Sequence, residues 1–519
     1  MSESSMLLLA GLVMLLLLLA WRRRGARGLP LPPGPTGLPL LGNLPQVDKR
    51  APFKTFMKWS KQYGPVMTVN LGPVRIVTLS GYQAVKEALV DQADDFTGRA
   101  PIPLLNRVVN GYGLAISNGE RWRQLRRFTL STLRDFGMGR KKMDQWIQEE
   151  SQHLLESLRQ TKLVPFDPTF FLSRAVSNVI CALVFGQRFS YDDTNFLRLL
   201  EIISDSVRFG STPWGQDYSS TCVFLVLDYV SPDPDYNPSS PQLYNIFPRL
   251  MTYTPGPHQK FFQRVEKLRE FVIGKIHQHK ETLDPDNPRD YIDCFLIRLE
   301  QEKDLPTTEF IYDNLVSTVL NLFFAGTETT STTMRYAIML LIKHPEIQEH
   351  MHNEINTVIG AHRIPQMEDR KSLPYTDAVI HEAQRYLDIV PLNLPHYATK
   401  DISFRGYAIP KDTVIIPMLH SVLRDEDQWE SAWTFNPDHF LDKNGNFKKN
   451  PAFFAFSAGK RACVGESLAR MELLLFLVSI VQQFHLSTPG GPSSIDIKPE
   501  FSSFGNIPRQ YELIVIPVD

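Results

Sequence analysis

Residues 453–465 read FFAFSAGKRACVG. Cys463 stands between Gly459 and Gly465, directly behind Lys460 and Arg461 and after a run of aromatics. A cysteine that only fills a core needs apolar neighbours. Cations and closely approaching backbone N–H groups instead favour an ionised sulfur, and the glycines let backbone come close to something. The rest of the chain must say what such a thiolate does.

The 519 residues carry 55 basic and 56 acidic side chains. That balance gives no footprint for nucleic acid, and the length is ample for a large core. Cys181, Cys222, Cys294 and Cys463 make no disulfide framework and suit a body kept in a reducing compartment. Neither CxxC nor HExxH occurs, so zinc sites are not expected.

The N-terminal run MLLLAGLVMLLLLLAW (6–21) is apolar throughout and is followed by WRRRGAR. As a helix it reaches about 24 Å, a little short of a hydrocarbon core of about 30 Å, with Trp21 suited to the interface. Glu3 is the only charged side chain before it. The positive-inside rule then leaves the bulk of the chain in the cytosol. A signal peptide would place basic residues before the run and a small-residue cleavage site after it. The expectation is an uncleaved anchor over 1–22. A basic, proline-rich hinge follows over 23–50, stiff and extended because prolines fix φ and restrict the residues before them. The body is 51–519.

Within the body, GPVMTVNLGPVRIVTLS (64–80) alternates around a Gly-Pro turn and predicts a β-hairpin. Helical periodicity recurs in 141–160, 169–185, 261–281, 309–343, 346–359, 375–387 and 465–484, and strands return in 396–419 and 510–518. The fold class is mainly α with a small β part. One stretch disagrees with its surroundings: 217–242, DYSSTCVFLVLDYVSPDPDYNPSSPQ, has neither period and ends in a Pro/Ser/Asp-rich tail.

The longest helical pattern, 309–343, reads NLFFAGTETTSTT in its middle (321–333). Gly326 there costs about 1 kcal/mol against alanine. Thr329 lies four residues after Ala325, so its hydroxyl can take that carbonyl and bend the helix. Glu328 beside it makes a polar notch in an apolar rod. In ERWRQLRR (120–127), Trp122 and Arg126 share one helix face and suit a planar anionic ligand, although a solvated basic helix would look the same. In HEAQRY (381–386), Glu382 and Arg385 form an i,i+3 pair. Exposed, such a pair is worth about 0.2–0.5 kcal/mol, so it matters only if buried and shared.

Together these stretches resemble the cytochromes P450. FSAGKRACVG matches the haem-binding signature FxxGxRxCxG at every fixed position, and AGTETT matches the oxygen-activation motif. EAQR is the ExxR motif, WRQLR the WxxxR motif, and FNPDHF (435–440) the Pro-Glu-Arg-Phe-like element with His439 in place of arginine. The texture of FTGRAP, LPHYAT and FNPDHFLD is similar to vertebrate microsomal family 2, with the fish-type K subfamily as one reading. The resemblance covers almost the whole chain and implies a P450 fold behind a single N-terminal transmembrane helix. It implies that Cys463 is the metal ligand of haem b, in a loop with Phe456, Gly459 and Gly465 that gives room beneath the porphyrin. Arg461, Trp122, Arg126, Arg99 and His396 match positions that hold haem propionates. Thr329 and Glu328 look like the alcohol–acid pair that guides protons to bound dioxygen. Glu382, Arg385 and His439 look like structural support.

The substrate pocket implied lies near Gly113–Ala115, with Leu114, Ala115, Phe324, Ala325, Leu394 and Phe504, and suits a lipophilic molecule. The implied reaction is monooxygenation of a fatty acid, steroid or xenobiotic. Its electrons come from NADPH through NADPH-cytochrome P450 reductase, with cytochrome b5 a second partner, at the endoplasmic reticulum membrane. A basic set, Arg121, Arg123, Arg127, Arg134, Arg140, Lys141 and Lys142, suits an acidic docking partner or plain solvation equally. Removing 217–242 restores the family's flow from STPWGQ to LYNIFPRLM, which suggests a retained intron or a mistaken gene model. A real surface loop is the alternative. Rival readings are a P450-fold isomerase or peroxide-using enzyme, against which Glu328–Thr329 argues, and an inactive membrane-tethered haem binder.

Overall fold

The computed structural model describes residues 29–39, 41–48, 50–72, 74–136, 141–211, 257–502 and 505–518. The alternating stretch after Gly64 folds as expected. Strand β1 (Val66–Leu71) pairs antiparallel with β2 (Val74–Leu79), from Val66 opposite Leu79 to Leu71 opposite Val74. Helix α1 (Pro52–Tyr63) precedes this hairpin, and α2 (Tyr82–Lys86) follows it and runs into a π-turn at Glu87–Asp91. Then come β3 (Gly98–Arg99), α3 (Pro103–Val109), α4 (Gly119–Asp135), α5 (Lys141–Arg159), α6 (Thr169–Phe185) and α7 (Thr194–Ser211). After residue 256 come α8 (Pro257–Glu281), α9 (Tyr291–Glu302), α10 (Tyr312–Lys343), α11 (Pro345–Val358) and α12 (Pro374–Leu387). Proline occupies the first turn of α1, α3, α11 and α12, where its missing N–H has no intrahelical acceptor to lose.

The C-terminal part supplies β4 (His396–Tyr397), β5 (Ile402–Phe404), β6 (Tyr407–Ile409), β7 (Val414–Pro417), α13 (Leu419–Leu423) and α14 (Glu466–Gln483). Strands β8 (Phe484–Ser487), β9 (Phe501–Ser502), β10 (Asn506–Ile507) and β11 (Ile514–Pro517) close the chain as two small antiparallel pairs. The main sheet has the order β1-β2-β7-β4-β3. Strand β7 joins β2 in parallel, and β4 and β3 add antiparallel at the edge, with Arg99 opposite His396. The sheet thus carries two residues of the N-terminal and C-terminal thirds to the same place.

Helix α10 organises the rest. It runs unbroken for 32 residues, about 48 Å at the usual rise. Leu315, Val316, Val319, Phe323, Met334, Tyr336 and Leu340 are fully buried along it. Gly326 has a packing reason: a Cβ there would lie 2.5 Å from Cδ1 of Ile180 on α6. The propensity lost in α10 is therefore exchanged for a close helix crossing. Helix α14 is apolar on nearly every side and is likewise core, and it carries Glu472, Ser479 and Gln482 into the interior.

No helix among the described residues is long and apolar enough to cross a membrane. The anchor expected over 1–22, the start of the hinge, and the stretch 217–242 with Cys222 lie outside the described residues.

Candidate active site

The cysteine loop is built by a short 3-10 turn, Gly459–Arg461, just ahead of α14. Gly459 adopts φ +71°, and a Cβ there would stand 1.7 Å from the carbonyl oxygen of Leu89. The room it provides is for the Leu89 backbone. The Cys463 N–H donates to the Phe456 carbonyl at 3.0 Å, which closes the loop. Its sulfur sits at the foot of α14 and accepts from the N–H groups of Gly465 and Glu466. A helix N-terminus favours negative charge there.

The two cations beside the cysteine are spent elsewhere. Lys460 pairs with Asp94 at the surface, and Arg461 lies over the Trp122 ring at 3.9 Å. The positive charge that acts on the sulfur comes from Arg126 on α4. Burial pushes the thiol up from its ordinary value, the two N–H groups and Arg126 pull it down, and the Glu466 carboxylate pushes it up again. Cys463 is nevertheless accessible.

Helix α10 exposes a second set of groups. Ala325 and Thr329, one turn apart, are exposed, whereas Phe323, Thr327, Glu328 and Thr330 around them are buried. Exposure in the middle of a core helix means an internal cavity. As expected, the Thr329 hydroxyl donates to the Ala325 carbonyl, at 2.8 Å. The helix stays continuous there. Burial raises Glu328 from its ordinary value, against Arg335 and a Thr332 hydroxyl 3.3 Å away. The walls are tied by one loop: Arg461 donates to the Ser117 carbonyl at 2.7 Å, Ser117 Oγ to the Gly113 carbonyl at 2.5 Å, and Gly113 N–H to Asn314 at 3.1 Å.

At the cavity edge, four basic groups converge. Arg99 and His396 face each other across β3 and β4 and are both buried. Arg99 Nη1 donates to the Leu394 carbonyl at 2.8 Å, and Arg126 Nη2 donates to the Ala462 carbonyl at 2.6 Å. Arg461 Nε donates to the Thr97 carbonyl at 2.8 Å. Burial, with repulsion from Arg99 and Arg126, pushes Arg461 down to about 8. Burial and Arg126 push Arg99 down to about 9, and burial with Arg99 holds His396 well below its ordinary value. None of the three arginines forms an ion pair with a described carboxylate. A guanidinium keeps its proton, so a bound anion would relieve this stress.

The Glu382–Arg385 pair is fully buried and bidentate, at 2.7 and 2.7 Å. Arg385 also donates to the carbonyls of Leu423, Ala432 and Thr434, each at 2.8 Å. Glu382 accepts from the Asn436 N–H at 2.8 Å and touches His439 at 3.2 Å. This is the buried, shared case in which the pair matters.

The sequence model of the cytochrome P450 family matches residues 32–230 and 235–515. The chain is a cytochrome P450. It is 51% identical over 502 residues to cytochrome P450 2G1 of Oryctolagus cuniculus, covering 97% of this chain and 96% of the relative. It is 48% identical over 510 residues to cytochrome P450 2A13 of Homo sapiens, covering 98% of each, and 46% identical over 514 residues to cytochrome P450 2F3 of Capra hircus, covering 99% of each. The chain is thus a monooxygenase of the vertebrate family-2 group. The break in the match, 231–234, falls inside 217–242.

The P450 family implies haem, and the residues fit it. His396 Nε2 and Arg99 Nε are buried without a hydrogen-bond partner, and the basic cluster lacks an acid, which suits two carboxylates of a flat, apolar ring. R126L is expected to leave the fold intact and weaken haem retention about 10- to 100-fold. That corresponds to one charge-assisted hydrogen bond of about 1.5–3 kcal/mol. Transfer of haem to an excess apo-acceptor measures it.

The pocket expectations divide. Leu114 is buried, Ala115, Phe324 and Leu394 are half-buried, and Phe504 lies outside the described residues. Sequence reasoning missed Asn321, whose Oδ1 accepts the N–H groups of Leu114 and Ala115 at 2.9 and 3.1 Å. The available signal was its spacing: 321, 325 and 329 share one face of α10. The basic docking set divides as well. Arg121 pairs with Glu309 at 2.8 Å and packs over Tyr112, and Arg123 pairs with Glu120. Arg127 and Arg134 remain exposed, Arg140 lies outside the described residues, and so do the side chains of Lys141 and Lys142.

Proposed function

We propose that this P450 inserts one oxygen atom of O₂ into a lipophilic substrate such as a fatty acid, steroid or xenobiotic. Its electrons come from NADPH through a flavoprotein reductase, with cytochrome b5 as a second donor. The observation that carries the reading is the accessible Cys463 at the foot of α14, together with the unpaired Arg99–Arg126–Arg461 cluster and the exposed Ala325–Thr329 face of α10.

Cys463 would hold the haem iron, and Arg461, Arg126, Arg99 and His396 with Trp122 would hold its propionates. The bound haem supplies the activation of dioxygen, with thiolate donation favouring O–O cleavage. On the α10 side, Thr329 presents an alcohol to the cavity, and beside it burial raises the Glu328 carboxyl from its ordinary value. Together they suit proton delivery at the Thr329 hydroxyl. Leu114, Ala115, Phe324, Ala325 and Leu394 would line an apolar space that excludes water, with Phe504 as a further candidate. Glu382, Arg385 and His439 would brace the segment leading to the cysteine loop.

Residues 1–22 would anchor the body at the endoplasmic reticulum membrane and 23–50 would set its angle, with 51–519 facing the cytosol. Exposed Arg127 and Arg134 leave room for an acidic redox partner on α4. We read 217–242 as an insertion of retained-intron or gene-model origin. Its apolar VFLVL would be an aggregation hazard on a surface.

The test is the reduced, CO-bound difference spectrum of the full chain and of a copy lacking 217–242, each followed by NADPH consumption with reductase and a lipophilic substrate. A thiolate-type band and substrate-dependent NADPH use are expected from the shortened copy. Activity in the full chain would instead favour a real loop. Haem loading without a thiolate-type band in either chain would sink the proposal.

A further inference from the structure

Arg470, in the second turn of α14, lies against the cysteine loop. Its Nε and Nη2 both donate to Glu466 Oε1, at 3.0 and 2.9 Å. Its Nη1 donates to His381 Nε2. The guanidinium lies over the rings of Phe453 and Phe456, 5.3 and 5.1 Å from their centroids. Phe456 is the residue whose carbonyl closes the Cys463 loop.

The group behind it is set as well. An arginine only donates, so His381 Nε2 must accept, and the ring proton sits on Nδ1. That Nδ1–H donates to the Asp377 carbonyl at 2.7 Å. The Asp377 side chain is held in turn by Arg370 at 2.9 Å. His381 is buried and Arg470 is largely so. Arg470 is thus gripped by a carboxylate, an imidazole lone pair and two aromatic faces.

Glu466 gives this grip a consequence. It is the first residue of α14, three positions after Cys463, so its backbone N–H belongs to the helix end that favours negative charge at the sulfur while its carboxylate is itself a negative charge at that end. One residue therefore presents both a helpful dipole and a harmful charge.

We propose that Arg470 is a positioning residue that sets the reduction potential of the bound haem. It pins and neutralises the Glu466 carboxylate beside Cys463 and braces the Phe453–Phe456 loop that carries the sulfur. The inference rests on Cys463 being the iron ligand. Adding an electron to the haem–thiolate unit is disfavoured by a nearby negative charge and favoured by a positive one. Removing Arg470 leaves Glu466 uncompensated; removing the Glu466 charge leaves Arg470 uncompensated. The two changes must act with opposite sign.

The experiment is a dye-mediated redox titration of the haem-loaded chain, in the copy that loads haem and without reductase, so that docking does not enter. R470L is expected to shift the reduction equilibrium about tenfold toward the oxidised form, which is about 59 mV for one electron. E466Q is expected to shift it by a similar factor toward the reduced form, and R470L/E466Q to return near the parent. The CO stretching frequency should move in opposite directions in the two single variants. If R470L fails to load haem, E466Q and R470K decide the matter, with R470K expected within about twofold of the parent. Single variants that shift the same way, or an unmoved E466Q with its thiolate-type band intact, would overturn the proposal. A parent without that band would instead remove the ligand assignment beneath it.

Discussion

C463S is expected to give a folded chain that has lost its thiolate-type CO band and at least about a thousandfold in turnover, about 4 kcal/mol of transition-state stabilisation. The fold should survive because Cys463 is accessible and fills no core position, unlike the fully buried Cys181. Serine can keep the N–H donation to the Phe456 carbonyl, since that is a backbone bond. What it cannot supply is a soft, ionised sulfur under the N–H groups of Gly465 and Glu466. The paired measurement is far-UV circular dichroism beside the reduced CO spectrum. A retained thiolate-type band in C463S would mean that another group binds the iron.

R385L is expected to destabilise the chain by about 3–5 kcal/mol, because it strands the Glu382 charge in the interior. It also leaves the carbonyls of Leu423 and Thr434 without this donor, while that of Ala432 keeps a bond from Arg424. Against a total stability of about 5–15 kcal/mol, this is enough to remove most haem-loaded protein. R385K should rescue little. A lysine keeps the charge but cannot reach two carboxylate oxygens and three carbonyls in one planar fork. E382L/R385L should cost less than the sum of the single changes, since no lone charge remains buried. Thermal unfolding and haem content per chain measure all three. Equal losses in R385L and the double variant would argue that the carbonyls, not the stranded charge, set the cost.

What was legible in the sequence was mostly what broke a local rule. A cysteine between glycines, a glycine and hydroxyls inside a core helix, and an acid–arginine pair on an apolar helix each stood out against their surroundings. The long apolar periods of α6, α10 and α14 were readable for the opposite reason: they repeat without interruption. Short helices with interleaved charges, such as α1 and α9, were not separated from loop. Least legible were pairings across great separation. Nothing near Gly459 announces the Leu89 carbonyl, and nothing near Arg121 announces Glu309. Arg461 looked like a neighbour of the sulfur because it is two residues away, yet Trp122 and the Ser117 carbonyl claim it. Sequence adjacency told which residues belong to the site, but not which way they turn.

The edge pair β3–β4 has a consequence for the order of synthesis. Arg99 leaves the ribosome early, whereas His396, Arg461 and Cys463 emerge only near the end of translation. Until β4 exists, β3 has no strand to lie against, and Arg99 meets neither its carbonyl at Leu394 nor its basic neighbours. When they do meet, like charges are brought together with no protein acid between them. Closing this corner of the nascent chain is uphill until a dianion arrives. Haem loading is therefore expected of the finished chain rather than of the growing one.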